Sequence, residues 1–321
     1  MGMAYLIKTI RLRAVCLSLG CMLVIAVATV GAASRAMALE TVRVADNVFA
    51  LVGPLEQRNP ENLGNNATFG VVVTSAGVVL IDPGGSAAGG AVIDRAIAQI
   101  TDQKVRVVIN TGGQDHRWFA NAYFMKKGAT VIASAAAVED QKERTNAEWQ
   151  AMETMIGPAN LEGTELRHAD TTFKTRHILE LGGRRLEIIH AGAAHTPGDS
   201  FVWLADAEVV FAGDIVYLDR LLGVGEQSNT RSWLEVFAAI EKLGPRIVVP
   251  GHGRPGTLAK AEAETRDYLR NLRAKIGALI EAGGDMIAAV KIDQSAFRHL
   301  VVFDQLAGRN AQAVFAEMEF E

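Results

Sequence analysis

Four short segments that carry aspartate or histidine follow four runs of apolar, largely β-branched residues. They occupy residues 110–116, 194–199, 213–214 and 250–253. Each begins at or shortly after the end of its apolar run, where a strand is predicted to end. In a layered α/β fold such positions gather at one rim, where loops converge on a ligand. The pattern therefore predicts an α/β fold with one functional site at that rim.

The residue types in these segments predict a metal site. The side chains concerned are those of Asp115, His116, His195, Asp214 and His252. Imidazole and carboxylate donors suit a borderline metal such as zinc. Each segment alone has a simpler interpretation, because an Asp-His pair after a strand is usually a cap beside a surface imidazole and a Pro-Gly-His sequence is usually a turn. Four such segments in succession favour the metal site.

The predicted strands and helices form two β-rich halves. In the first half, strands are predicted at residues 41–44, 48–52, 69–74, 77–81 and 105–109, with a helix at 87–100. In the second half, strands are predicted at 130–133, 177–179, 185–190, 200–204, 209–212 and 246–249, with helices at 135–156, 232–243 and 258–281 and helical pieces from 285 to 321. Two such halves, with no linker between them, fit one four-layer αββα sandwich better than two independent domains.

The N-terminal residues predict export. Three basic residues precede an apolar run at 14–33, and a small-x-small triplet follows at 36–38. This order is typical of a secretory signal peptide. We therefore expect a signal peptide at residues 1–38, a mature domain at 39–321 and a periplasmic or secreted location, with no stable membrane insertion after cleavage. An uncleaved anchor remains the alternative, because an apolar run of about 20 residues can span a bilayer.

Charge and cysteine content limit the binding partners and the metal-binding side chains of the mature chain. Removal of residues 1–38 takes away four positive charges and no negative ones, which lowers the formal net charge from −4 to −8. An acidic body without a basic cluster argues against nucleic acid and anionic membranes as partners and favours a small-molecule substrate. Cys16 and Cys21 both lie in the predicted signal peptide. Histidine and carboxylate must therefore hold any metal.

The four segments, in this order, resemble the motifs of the metallo-β-lactamase superfamily. Asp82, within the sequence Leu-Ile-Asp-Pro-Gly, is similar to the aspartate of its first motif. Five residues match the metal-binding positions of the family: Asp115 and His116 at the end of its His-x-His-x-Asp-His motif, His195 at the next histidine, Asp214 at the bridging carboxylate and His252 at the last histidine. The resemblance covers nearly all of the mature chain and implies the metallo-β-lactamase fold, an αββα sandwich.

The chain departs from the family where two histidines normally hold the first metal. Residues 111–114 read Thr-Gly-Gly-Gln, so that only His195 and Asp214 remain for that metal. The second site keeps the full set implied by the resemblance: Asp115, His116, Asp214 and His252. We therefore expect one tightly bound Zn²⁺, with iron and manganese as alternatives.

The resemblance also implies a mechanism and a reaction class. Asp115 would bind the metal and orient or deprotonate the attacking water. The role of His195 as a general base or hydrogen-bond donor is a hypothesis, motivated only by the missing histidines of the first metal site. A bound divalent ion makes hydroxide available at neutral pH. The expected function is an exported metal-dependent hydrolase acting on a small ester, thioester, lactone or β-lactam-like substrate.

Finer details are similar to the zinc metallohydrolases associated with sulfur oxidation and quinoprotein relay systems. These details are the variant motif at 111–116, the sequence at 213–220 and the Gly-Arg-Asn at 308–310. This resemblance implies an association with a periplasmic redox system. Two rival functions stay open: an iron-dependent sulfur-compound oxidoreductase of the same fold, and a non-catalytic binding protein.

Other residues near the motifs have two interpretations each. His190 is a partner of a metal ligand or a strand-end histidine with ordinary hydrogen bonds. Asp219 and Arg220 line the pocket or form a surface ion pair. The charged residues between 139 and 153 predict a solvated helix face, with a lid over the site as the alternative.

Overall fold

Seven strands form the first of two sheets in the computed structural model, which describes residues 38–321. The strands, which neighbour one another in chain order, are β1 (Glu40–Ala45), β2 (Val48–Val52), β3 (Thr68–Thr74), β4 (Gly77–Ile81), β5 (Val105–Asn110), β6 (Thr130–Ser134) and β7 (Thr171–Phe173). Strands β1 to β4 pair antiparallel, and β4 to β7 pair parallel. The predicted signal peptide lies outside the described residues, apart from its last residue.

Five strands form the second sheet. In spatial order they are β12 (Ile247–Val249), β11 (Val209–Phe211), β10 (Phe201–Leu204), β9 (Arg184–Ile189) and β8 (Arg176–Leu181). The pairing of β11 with β12 is parallel, and the other three pairings are antiparallel. The strands predicted from apolar runs are confirmed, whereas the short edge strand β7 was not predicted.

The two sheets pack face to face. Ile109 of the first sheet shares a buried cluster with Ile188 and Phe211 of the second. Fully burying an aliphatic or aromatic side chain of this size contributes about 1.5–3 kcal/mol. The alternation of these apolar residues along each strand leaves the opposite face of each sheet for helices.

Helices cover both outer faces. They are α1 (Ala87–Ala98), α2 (Asn121–Met125), α3 (Ala135–Ile156), α4 (Thr230–Glu241), α5 (Leu258–Ala261), α6 (Asp267–Glu281), α7 (Met286–Ala289) and α8 (Phe303–Met318). Ile93 of α1 packs on the first sheet, and Phe237 of α4 and Leu272 of α6 pack on the second. The predicted αββα sandwich is therefore confirmed. Among residues 38–321, no helix is long and apolar enough to cross a membrane.

The predicted helix at 258–281 is interrupted. A π-helical turn at Glu262–Arg266 separates α5 from α6. Thr265 in this turn is fully buried, and its hydroxyl donates to the Tyr217 carbonyl at 2.7 Å and accepts from the Tyr217 N–H at 3.0 Å. The turn thus inserts a polar side chain against the segment that follows β11, a tertiary contact that helical periodicity does not reveal.

The C-terminal ends of four strands place polar side chains at one rim. Asp82 follows β4, Asp115 follows β5, Asp214 follows β11 and His252 follows β12. The pairs β4–β5 and β11–β12 are both parallel, so their carboxyl ends point the same way within each sheet. Packing of the sheets then brings the two sets of loops together.

Candidate metal centre

Three buried side chains converge at this rim. Ligand atoms of His116, Asp214 and His252 all lie within 4.8 Å of one another. His116 Nε2 lies 3.2 Å from Asp214 Oδ2, and His252 Nε2 lies 3.1 Å from Asp214 Oδ1. Each of the three residues is at most 3% exposed. This is the arrangement in which two imidazoles and a carboxylate can share one cation.

His252 directs a proton-free nitrogen toward Asp214. His252 Nδ1 lies 2.6 Å from the Asn66 carbonyl, which can only accept, so the proton of the neutral ring is on Nδ1. His116 Nδ1 lies 2.9 Å from Asp115 Oδ1, an acceptor, and 2.5 Å from Arg58 Nη2, a donor, so its contacts are compatible with either neutral tautomer. Among the described residues, His116 Nε2 is buried and has no hydrogen-bond partner. The tautomer of His252 is that of a metal-binding histidine, and His116 Nε2 has no competing hydrogen bond among the described residues, so the residues present fit a metal ion.

Short turns after the strands hold two of these side chains. His116 lies on the 3₁₀ turn Asp115–Arg117 and Asp214 on the 3₁₀ turn Gly213–Ile215. Gly213 has φ 52°, and a Cβ there would lie 2.3 Å from Thr111 Oγ1. Glycine is therefore required at this position both for the left-handed backbone and for the close approach of Thr111, which follows β5.

A fully buried arginine binds both oxygens of the Asp214 carboxylate. Arg117 donates from Nε and Nη2 to the two oxygens of Asp214 at 3.0 and 2.7 Å, and from Nη1 to Asp82 Oδ2 at 2.8 Å. Thr111 donates to Asp82 from its N–H and its hydroxyl, both at 2.8 Å. Burial alone would raise the pKa of Asp214, but Arg117 and His116 hold it well below its usual value. Sequence reasoning missed Arg117, although a charged residue in the apolar stretch after the Asp-His pair was a signal.

Asp115 has a different partner from the other predicted ligands. Its Oδ1 accepts from Arg58 Nη2 at 2.6 Å and from Arg58 Nε at 3.0 Å. Burial acts to raise the pKa of Asp115, but Arg58 and His116 outweigh it and the net shift is downward. The carboxylate is adjacent to the cluster of three ligand atoms but does not belong to it. Its role as a ligand or as a base stays a prediction.

His195 also lies outside the cluster of three. Its Nε2 is 2.6 Å from Gln114 Oε1 and its Nδ1 is 3.0 Å from the Gly223 carbonyl. Burial lowers the pKa of His195 to about 4, so the ring is neutral and carries one proton. The Gly223 carbonyl can only accept, which assigns the proton to Nδ1. Nε2 then accepts from the Gln114 amide, turned so that its NH₂ group faces the ring.

Carboxylates fill the space beside the two glycines of the variant motif. A Cβ on Gly112 would lie 2.5 Å from Asp199 Oδ1, and a Cβ on Gly113 would lie 1.8 Å from Asp140 Oδ2. A histidine side chain cannot enter at either position unless its neighbour moves. The surroundings of these residues are thus built for glycine, not for the metal-binding histidines that the family carries nearby.

Helix α3 presents a buried charged face to this part of the site. Arg144 donates to Asp140 Oδ1 at 2.7 Å and to Glu148 Oε1 at 2.5 Å. Asp140 and Glu148 are 5% and 7% exposed. The prediction of a solvated helix face is therefore wrong for these three residues and holds for the exposed pair Glu139–Lys142 on the other side. The alternative of a lid stays a prediction.

The structure also decides the interpretations of three further residues. Asp219 pairs with Lys260, and Arg220 is 5% exposed with Nη1 3.2 Å from His252 Nδ1. The interpretation of Asp219 and Arg220 as a surface ion pair is therefore wrong. His190 Nδ1 bonds the Asp199 carbonyl at 2.7 Å, which is an ordinary backbone contact.

The sandwich and the converging histidines and aspartate at its rim define an αββα protein with a candidate metal centre. The chain belongs to the metallo-beta-lactamase superfamily, whose family model matches residues 64–252. That range includes all five predicted metal-binding residues. No curated protein matches the chain in sequence.

Solved structures share the fold at low sequence identity. A metallo-beta-lactamase from Pontibacter korlensis is 20% identical with a TM-score of 0.59, covering 73% of this chain and 99% of its own. The DIM-1 metallo-beta-lactamase is 18% identical with a TM-score of 0.56, covering 73% and 98%. A double mutant of the sec-alkyl sulfatase PisA1 is 15% identical with a TM-score of 0.68, covering 87% of this chain and 50% of its own. At these identities the similarity shows the fold alone.

Proposed function

We propose that this protein is an exported metal-dependent hydrolase with one tightly bound metal ion. The observation that carries the proposal is the convergence of His116 Nε2, His252 Nε2 and the Asp214 carboxylate, with the proton of His252 held on the opposite nitrogen. The superfamily and its structural neighbours, which include β-lactamases and a sulfatase by name, support a hydrolytic reaction.

Zinc is the proposed ion. Two imidazole nitrogens and one carboxylate form a common catalytic zinc set, with a further position left for water or substrate. When bound, a divalent ion supplies a hydroxide at neutral pH and polarises the scissile bond. Arg117 keeps Asp214 ionised and fixes the plane of its carboxylate toward the two histidines.

Few side chains near the centre remain available to bind a second metal ion. His195 Nε2 is engaged by Gln114, and Asp199 and Asp140 fill the space beside Gly112 and Gly113. These contacts support one metal ion per chain. The Gln114 amide orients the neutral ring of His195, whose Nε2 can accept a proton in place of that hydrogen bond, and the ionised Asp115 can orient a water molecule.

The proposed substrates are small molecules with an ester, thioester, lactone or β-lactam-like carbonyl. The predicted signal peptide supports a periplasmic or secreted location, and the acidic mature chain supports a small-molecule partner over nucleic acid. The resemblance to quinoprotein-associated hydrolases supports association with a periplasmic redox system.

Metal analysis of protein purified without added metal tests the proposal. We expect about one zinc per chain in the wild type, in His195→Ala and in the control His177→Ala, which changes a β8 residue outside the site. We expect loss of metal in His116→Ala, Asp214→Ala and His252→Ala. A panel of ester, thioester and β-lactam substrates then measures turnover. Iron accompanied by oxygen uptake would favour the oxidoreductase, and full metal retention in the three ligand variants would refute the proposed centre.

A further inference from the structure

The segment that follows β11 forms a short parallel bridge with the segment that follows β12. Tyr217 pairs with His252 in this bridge. The Leu218 N–H donates to the His252 carbonyl at 2.9 Å, and the Gly251 N–H donates to the Val216 carbonyl at 2.9 Å. Among the described residues, no strand or bridge pairs with the other edge of this extended segment.

Two side chains of the π-helical turn Glu262–Arg266 close that edge. The Thr265 hydroxyl donates to the Tyr217 carbonyl at 2.7 Å and accepts from the Tyr217 N–H at 3.0 Å. Next to it, Glu264 Oε2 accepts from the Asp219 N–H at 2.6 Å. The N–H and the carbonyl of one residue in an extended chain point to the same edge, where a neighbouring strand would bond both. The hydroxyl of Thr265 takes the place of that strand.

The ring of Tyr217 contacts two imidazoles of the site. Its centroid lies 4.7 Å from that of His252, with the two planes 13° apart, and 6.0 Å from that of His195 in an edge-on arrangement. Tyr217 is 3% exposed, so the stacked pair lies in a close-packed interior. The Asn66 carbonyl holds Nδ1 of His252, and the Tyr217 ring limits rotation about that contact. The place of Tyr217 therefore decides how His252 Nε2 faces Asp214.

The π-helical turn interrupts a helix that the sequence predicts as continuous. Such turns are rare, and they occur frequently at functional sites. This turn brings a carboxylate and a hydroxyl, from Glu264 and Thr265, against the segment that carries Tyr217. Thr265 is fully buried, and its hydroxyl has both of its contacts on Tyr217. The local departure from α-helix thus coincides with a contact beside the metal centre.

We propose that this π-helical turn positions the metal centre, with Thr265 as its positioning residue. By holding both backbone groups of Tyr217, Thr265 fixes the ring that sets the plane of the His252 imidazole. The effect on metal binding rests on the proposed function, whereas the arrangement of the two rings does not. Contacts that orient a metal-binding histidine typically change metal affinity 10- to 100-fold.

Thr265→Val tests the proposal, because valine has nearly the shape of threonine and lacks the hydroxyl. We expect the Kd for zinc, measured by competition with a chromophoric chelator, to rise about 10- to 100-fold. The visible spectrum of the cobalt-substituted protein should change as the ligand geometry changes. Thr265→Ser keeps the hydroxyl and should restore both properties.

Thr74→Val is the matched control. Thr74 is also buried, and its hydroxyl donates to the Gly77 carbonyl and accepts from the Ala76 N–H, at 2.7 and 3.1 Å. It lies in the β3–β4 hairpin, at the opposite end of β4 from Asp82. Thr74→Val therefore removes the same pair of hydrogen bonds away from the centre, and its zinc affinity and cobalt spectrum should match the wild type.

The proton on Cε1 of His252 reports the ring arrangement in metal-free protein. The ring current of the stacked Tyr217 displaces its NMR resonance, which His252→Ala identifies by its loss. We expect this resonance to move in Thr265→Val and to stay in place in Thr74→Val. If the wild type binds neither zinc nor cobalt but the resonance moves in Thr265→Val, the proposed function fails and the positioning of His252 stands.

Three results overturn the inference. The first is an unchanged His252 resonance in Thr265→Val, and the second is an unchanged zinc affinity in that variant while the wild type binds zinc. The third is an equal loss of zinc affinity in Thr74→Val, which would show that any lost buried hydroxyl has the same effect. Should Thr265→Val fail to fold, the same measurements on Thr265→Cys decide, because a thiol is only a weak hydrogen-bond partner.

Discussion

The side-chain amide of Gln114 lies 2.6 Å from Nε2 of the His195 imidazole. The other ring nitrogen of His195 lies 3.0 Å from the Gly223 carbonyl. The imidazole is thus held from both sides in a place where the family has a metal ligand. Gln114 directly precedes Asp115 in the chain, so the side chain that holds His195 and the carboxylate next to the centre belong to neighbouring residues.

Gln114→Ala tests whether this pairing serves catalysis or metal binding. We expect kcat to fall about 10- to 100-fold, because His195 loses the partner that orients it for proton transfer. Metal content should stay at the wild-type level, since Gln114 is not one of the converging ligands. Gln103→Ala, at an exposed position, is the control. Loss of metal in proportion to activity would instead show that Gln114 is needed for metal binding.

Arg117→Met tests the contact of Arg117 with Asp214. The change leaves Asp82 and Asp214 buried without their counter-charge, and breaking a buried pair in this way costs about 3–5 kcal/mol. Urea unfolding should therefore show a much lower midpoint, and metal affinity should fall as Asp214 loses its fixed plane. Arg254→Met removes only an exposed pair with Glu40 and should change little. Equal urea midpoints in Arg117→Met and Arg254→Met would show that the contact of Arg117 with Asp214 does not stabilise the fold.

Gly113→Ala tests the packing that replaces the metal-binding histidines. A Cβ at this position would meet the Asp140 carboxylate at 1.8 Å, so Asp140 must leave Arg144. We expect a loss of about 1–3 kcal/mol in unfolding free energy, as for other overpacked sites. In the Asp140→Ala background the same change should cost much less. Gly277→Ala, in α6 with only Met318 at 3.5 Å, should be neutral or stabilising.

Glu148→Gln tests the buried face of α3 through the pH dependence of stability. Burial, and then the charge of Asp115, raises the pKa of Glu148 to about 8 from an ordinary value of 4.5. Between these values the folded state binds more protons than the unfolded state, so stability falls as the pH rises. Glu148→Gln removes this contribution, and its stability relative to the wild type should increase from pH 5 to pH 8 by on the order of 1 kcal/mol or more. Thermal unfolding in chelator at several pH values measures it.

The control for this pH profile is Glu139→Gln, at an exposed position on the same helix. Its stability should follow the wild-type curve. Burial also raises the pKa of Asp199 to about 8, so its titration lowers stability with rising pH in every variant. Only the difference in stability between a variant and the wild type is therefore informative. A constant difference between Glu148→Gln and the wild type across this range would show that the carboxyl does not titrate there.

The sequence revealed the strands and the converging ligands but not the charges that surround them. His116, Asp214 and His252 could be found because each follows an apolar strand, and strand ends meet at one rim. Arg58 and Arg220 could not be placed, because burial of a charged side chain depends on which loop covers it and not on its own neighbours in the chain.

Helix α3 gives a second example of buried charges that the sequence did not reveal. Asp140, Arg144 and Glu148 recur every four residues, which on sequence grounds is the pattern of a solvated face with intrahelical ion pairs. The structure buries that face against Gly113. The contact depends on the absence of a side chain at a position 27 residues earlier in the chain, and local periodicity carries no information about such a contact.

Asn310→Ala tests whether helix α8 positions His195 from outside the matched family region. Asn310 accepts from the Val224 N–H at 2.9 Å and donates to the Leu222 carbonyl at 2.8 Å. It therefore fixes the residues on both sides of Gly223, whose carbonyl contacts His195. Removing the amide leaves both backbone groups unsatisfied, and we expect a loss of about 1–3 kcal/mol in unfolding free energy together with a lower kcat at unchanged metal content. Tyr268→Phe removes only the hydroxyl that Asn310 also contacts at 2.9 Å and leaves the loop bonds intact. If this control lowers kcat as much as Asn310→Ala does, general packing of α8, and not the bracket around Gly223, supports the site.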